Sequence, residues 1–158
     1  MAMNTQRIVK IDLDERSVVR RNADIEHERA VAIFDLLEEN RFAPTAAHEG
    51  PFHLQIGLEE GRLVLEIRDT GDRQLDRFTA ALQPFRGIMR DYFLICESYY
   101  SAIRTASPSK IEAIDVGRRS LHNEGSELLR DQLASKVDID LDTARRLFTL
   151  LCVLHIRG

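Results

Sequence analysis

The sequence predicts an α+β fold, a small antiparallel sheet (a meander) covered by about four helices, within a single globular domain spanning residues 1–158. Three observations carry this expectation. Short apolar alternations with turn residues between them fall in the first part of the chain. Apolar stripes at helical spacing dominate the second part. With 44% hydrophobic and 30% charged residues, a chain of 158 residues can bury a core without disulfides or metal.

The elements follow in order. In residues 7–13, Ile8, Lys10 and Asp12 alternate with Arg7, Val9, Ile11 and Leu13, the pattern of a half-buried strand. A charged connection over 14–21 leads to a helix near 24–39. Asn22 or Asp24 can cap it, Glu26 and Glu28 suit its dipole, and Ala30, Ile33, Phe34 and Leu37 form its stripe. The helix should stop near Asn40, before Pro44, and a polar loop over 45–50 follows. Phe52, Leu54, Ile56 and Leu58 share one strand face, and Leu63, Leu65 and Ile67 share another. The turn at 59–61 makes these two a hairpin. Past a second turn at 70–72, residues 75–82 fit a third strand or a helix, and a strand is preferred because it completes the meander.

Pro84 suits a first helical position, and it opens what reads as the longest helix. Phe85, Ile88, Met89, Tyr92, Cys96, Tyr99 and Ile103 form its face, which should cross the sheet and make the main core. A further helix begins at Ser109, which has capping-box spacing to Glu112. Gly117 and Gly125 weaken it, so a kink or break is expected near 123–125. Val137, Ile139 and Leu141 alternate as in a short strand or extended linker. Asp140 or Asp142 then caps a last helix with Ala144, Leu147, Phe148, Leu151 and Leu154 on its inner face. Leu150, Cys152 and Val153 make that helix apolar on most sides, so it is buried in the domain or in an oligomer interface.

Charge narrows the function classes. The net charge is -4, with 11 basic against 16 acidic residues up to residue 83 and 11 against 10 beyond it. Neither part has the positive field that binding a phosphate backbone requires, so nucleic acid ranks last among partners. Of the basic residues, 19 are Arg and 3 are Lys. Cys96 and Cys152 have no zinc-ligand spacing and read as buried thiols in a reducing cytoplasm. The first residues lack a signal-peptide core, and the apolar run near 147–156 is too short to span a bilayer. Phosphate-loop, dinucleotide, nucleophile-elbow and zincin motifs are absent, and no cofactor is expected.

Four stretches resemble a bacterial family catalogued as uncharacterised protein family 0262: IEHERAVAIFDL (25–36), DYFLICESYYSAIR (91–104), PSKIEAIDVGRRSLHNEGSELL (108–129) and DTARRLFTLLCVLH (142–155). The resemblance runs from residue 7 onward. It implies a bacterial cytoplasmic protein of a kind associated mainly with alphaproteobacteria. It transfers no catalytic residue, cofactor or partner.

The segment DVGRRSLHNEGSE (115–127) is the richest in chemistry. Asp115 and Arg119 are four apart on a helix, as are Arg118 and His122, so these side chains can meet on one surface. Arg118, Arg119 and Asn123 are candidate anion ligands. His122, Glu124 and Asp115 are the candidate catalytic residues, with His122 and Glu124 transferring protons and Asp115 orienting the histidine. The alternative is a solvated face with ordinary local ion pairs. His27 lies between Glu26 and Glu28, but adjacent helical residues do not face each other, so no metal is expected. Arg145 and Arg146 follow Asp138, Asp140 and Asp142 and read as a capped helix start or a basic contact for an acidic partner.

Three function classes remain. The favoured one is a non-enzymatic regulatory or interaction protein, a homodimer or partner-binding protein that uses Leu150 or Val153 of the C-terminal helix. The second is an enzyme or sensor for a small anionic metabolite at Arg118, Arg119 and His122. RNA binding is third. Whether His27 and His122 share a cleft separates the first two.

Overall fold

The computed structural model describes residues 5–14 and 23–155. The strands are β1 (Ile8–Leu13), β2 (Phe42–Pro44), β3 (Phe52–Glu59), β4 (Arg62–Arg68), β5 (Gln74–Ala81) and β6 (Val137–Ile139). The helices are α1 (Ala23–Glu38), α2 (Arg86–Thr105), α3 (Pro108–Leu133) and α4 (Leu141–His155). The fold is α+β, with a four-stranded sheet in the order β1-β3-β4-β5 and a two-stranded sheet of β2 and β6. The charged connection and the Asn22 and Asp24 caps expected before α1 lie outside the described residues and side chains.

The larger sheet is not purely antiparallel, which corrects the expected meander. β3, β4 and β5 pair antiparallel, but β1 joins β3 in parallel, with Ile11 opposite Leu54 and Leu13 opposite Ile56. The physical reason is α1. A helix between two strands returns the chain to its starting end, and that connection makes neighbours parallel. The hairpin between β3 and β4 turns through Glu60 at φ 50° and Gly61 at φ 73°. Positive φ at both central positions matches the right-handed twist of the flanking strands.

Four local expectations also shift. A register irregularity follows Ile8, so β1 buries Ile8, Ile11 and Leu13 while Val9 is 38% exposed. The stripe of α1 is rotated: Ala32 and Leu36 are buried, and Phe34 is 63% exposed. An unexpected strand, β2, stands just before the polar loop, and Thr45 extends it by bonding through its N–H to the carbonyl of Lys136. Pro84 lies in a short 3-10 turn (Gln83–Phe85) before α2, and α2 is shorter than α3.

α3 runs unbroken for 26 residues. Ser107, rather than Ser109, caps it by accepting from the Lys110 N–H, and Pro108 is its first residue. Gly125 does not break the helix. A Cβ placed there would lie 2.2 Å from the Phe148 ring, so glycine is what lets α3 and α4 approach. Gly117 likewise admits Ile95 of α2, whose Cδ1 would lie 2.7 Å from a Cβ.

The centre of the core is α4, not α2. α4 touches α1, α3 and β3, whereas α2 packs mainly along α3. Every residue from 150 to 154 of α4 is buried, with Ala144, Leu147 and Phe148. Leu150 and Val153, expected at an interface between chains, therefore face the chain's own interior. Asp140 caps the helix by accepting from the Thr143 N–H at 2.8 Å.

Candidate functional site

Three helices converge on one cleft of about 550 Å³. α1 lines it with His27, Glu28, Val31, Ala32 and Asp35, which share one face at i, i+3, i+4 spacing. α3 contributes Arg118, Arg119, His122 and Asn123, again one face. α4 adds Arg145, Arg146 and Thr149, and Tyr92 of α2 completes the wall. His27 and His122 thus share a cleft.

Asp115 stands one turn before the α3 arginines. Its carboxylate accepts from Arg118 at 2.7 Å and meets Arg119 Nε at 3.2 Å. The Arg118 hydrogen bond, aided by the Arg119 charge, holds the Asp115 carboxyl below its ordinary range. Arg118 also lies over the Tyr99 ring, 4.6 Å from its centroid. Two contacts therefore fix this guanidinium, the Asp115 carboxylate and the Tyr99 ring.

The α4 arginines are held from neighbouring helices. Arg145 Nε donates to Asn123 Oδ1 at 3.0 Å, and its Nη1 lies 3.2 Å from Asp142. Arg146 Nε lies 3.8 Å from Asp35 of α1. Asp138, grouped in the sequence with these arginines, instead pairs with Arg41 at 3.0 Å. Asn123, a candidate ligand, is thus occupied in orienting Arg145. Across the cleft, the Tyr100 hydroxyl donates to Glu28.

His122 is built in rather than poised. Its ring packs against Tyr92 and Phe148, with centroids 5.4 and 5.3 Å away. Nε2 lies 2.8 Å from Thr149 Oγ1, whose own hydrogen goes to the carbonyl of Arg145. Nε2 is then the donor, and the ring is the neutral tautomer protonated there. Ser126, fully buried, faces Nδ1 at 3.5 Å and donates to the His122 carbonyl at 2.7 Å. Burial first, and then the charges of Arg118, Arg145 and Arg146, bring His122 down from 6.5 to about 4. The ring is neutral at pH 7, and both nitrogens face protein hydroxyls.

The expected proton-transfer pair is not assembled. Glu124 is exposed and does not line the cleft. Two residues along a helix is more than half a turn, which points Glu124 away from the His122 side. Asp115 orients arginines and has no contact with His122. Among the described residues, no three His, Cys, Asp or Glu side chains gather closely enough to hold a metal ion.

Sequence reasoning placed Arg118, Arg119 and His122 together because one helix face carries them. Asp35 and Thr149 carry no site role in the sequence, Glu28 enters only as a carboxylate beside His27, and Tyr92 reads as packing. The α1 residues had a signal, since Glu28, Val31, Ala32 and Asp35 share helical spacing. Thr149 had none, because its meeting with His122 depends on how α3 and α4 pack.

The comparisons with known proteins cover nearly the whole chain. Residues 5–157 match the family described as Uncharacterised protein family (UPF0262). A UPF0262 protein of Paramagnetospirillum magneticum is 58% identical over 153 residues, covering 97% of this chain and 98% of its own. One from Azorhizobium caulinodans is 58% identical over 154 residues, covering 96% and 95%. One from Rhodospirillum rubrum is 57% identical over 155 residues, covering 98% and 96%. No solved structure matches the chain significantly. On a match that spans all but its ends, the chain belongs to Uncharacterised protein family UPF0262.

Proposed function

We propose that this protein is a cytoplasmic, non-enzymatic regulatory protein that binds a small anionic metabolite in the cleft between α1, α3 and α4. One observation carries the reading: four guanidiniums from two helices line the cleft, and among the described residues its wall holds two carboxylates, Glu28 and Asp35. The arginines are oriented in advance by Asp115, Asn123 and Asp35. Pre-orientation lowers the entropy lost when a ligand is bound, and guanidinium forks suit phosphate and carboxylate oxygens. The volume falls in the range of small-molecule sites.

The same geometry favours binding over catalysis. His122 is neutral, engaged through Nε2 and packed between aromatic rings. Glu124 stands outside the cleft. The cytoplasmic address rests on Cys96 and Cys152, which are buried free thiols. Among the described residues no helix is long and apolar enough to cross a membrane. Any protein partner would need a surface other than Leu150 and Val153, which are buried. On α1, Val31 at 43% and Phe34 at 63% exposure offer apolar contact beside the cleft.

The test is thermal unfolding in rising inorganic phosphate at constant ionic strength. A ligand at about a hundredfold excess over its Kd stabilises by roughly 2.7 kcal/mol. The expected result is a rise in Tm that Arg118→Ala abolishes while the variant still unfolds cooperatively. A rise of equal size in the variant removes the cleft as the binding site.

A further inference from the structure

The arginines of the cleft form two clusters, and each cluster has its own support. Arg118 and Arg119 are consecutive on α3 and share one carboxylate, Asp115. Arg145 and Arg146 are consecutive on α4 and are held by different groups, Asn123 with Asp142 and Asp35. Among the described residues, the carboxylates on the cleft wall belong to α1: Asp35 faces the α4 cluster, and Glu28 is engaged by Tyr100. Neither wall carboxylate contacts the α3 cluster. Between the clusters the wall holds the neutral pair His122–Thr149 and the apolar surface of Tyr92, Val31 and Ala32.

This arrangement is more than one anion requires. A single phosphate or carboxylate is satisfied by one or two guanidiniums. A cleft of about 550 Å³ has room for a metabolite-sized ligand, with uncharged atoms against the middle of the wall. Resting on the anion-binding reading above, we propose that the ligand is a bis-anionic metabolite with two charged groups, phosphoryl or carboxylate, joined by an uncharged linker. One group docks on Arg118 and Arg119, and the other docks on Arg145 and Arg146. The ligand would thereby tie α3 to α4 across the cleft mouth, with His122 and Thr149 beneath its linker.

Isothermal titration of the full chain tests this with matched probes. Propane bisphosphonate is compared with methylphosphonate, and glutarate with acetate. Arg119→Ala and Arg146→Ala serve as variants, because each removes one guanidinium from a different cluster. The expected result is at least tenfold tighter binding of one two-headed probe than of its single-headed counterpart. Each variant should reduce that preference to less than threefold. The pair that shows the preference identifies the head group. Equal affinity of two-headed and single-headed probes, abolished by Arg118→Ala, would overturn the two-group ligand and leave simple anion binding standing. A preference that survives both variants would also overturn it. Absence of binding by all four probes would overturn both readings.

Discussion

His122 illustrates how far a residue's surroundings can move it from its ordinary chemistry. Buried between aromatic rings and beside three arginines, it titrates at about 4 instead of 6.5. The unfolded chain takes up this proton near the ordinary value, and the folded chain refuses it until the pH is much lower. Stability is therefore complete above about pH 6.5 and is lost as pH falls toward 4, by roughly 3 kcal/mol in total. Urea unfolding across that window should show the loss in the native protein, and His122→Asn should flatten it. An unchanged pH slope in the variant would place the acid sensitivity elsewhere. A bound anion offsets the arginine charges and brings the folded value back toward the unfolded one, so saturating phosphate should make the loss smaller. Gly125 is the second decisive residue. Gly125→Ala forces a methyl into the Phe148 ring, and overpacking of this kind costs about 1–3 kcal/mol or more. Combining it with Phe148→Leu should restore part of that loss in a denaturant titration, because both changes act on one contact. In the sequence, Gly125 looked like a helix breaker. Low helix propensity and close helix packing call for the same letter, and only the partner ring distinguishes them.

At the scale of elements, local pattern was a good guide wherever the partner surface is also local. The β3–β4–β5 hairpins and the strand β6 followed from alternation and turn residues. The Asp115, Arg118 and Arg119 cluster followed from spacing on one helix. The α1 stripe did not, because Phe34 and Leu36 are equally hydrophobic and the sequence does not show which side α4 and β1 occupy. Asn40 illustrates the point: it lies buried at the end of α1, accepts from the Ile8 N–H and donates to the Ile8 and Leu36 carbonyls. That bond pattern docks α1 on the edge of β1 and sets its rotation. Two substitutions separate the faces. Leu36→Ala should cost about 2–5 kcal/mol, as a fully buried leucine does. Phe34→Ser should change stability by about 0.5 kcal/mol or less, as exposed substitutions do. Paired chemical denaturation curves check both, and a large loss at Phe34 would mean that α1 is rotated from the position described.

At the scale of the whole molecule, the features hardest to read were those joining distant parts of the chain. The parallel β1–β3 pair depends on a crossover that leaves no mark in either strand. The cleft needs α1, α3 and α4 at once, and its His122–Thr149 and Arg145–Asn123 contacts cross between helices. Such contacts are specified by packing rather than by spacing, which is why the two histidines could be proposed to converge but not placed. The position of α4 has a further consequence, for synthesis on the ribosome. The helix that fills the middle of the core is made after β1, α1 and α3, all of which it or its neighbours must complete. A nascent chain therefore carries uncovered apolar surface on α1, β3 and α3 until residues 141–155 emerge. Folding that waits for distant contacts is slow and exposes chains to capture. Ribosome-bound chains stalled so that residue 140 has just emerged should be cleaved rapidly by protease, and chains with α4 fully emerged should resist. The cleft is likewise closed only once α4 has been made, because Arg145, Arg146 and Thr149 are the last of its walls to be synthesised.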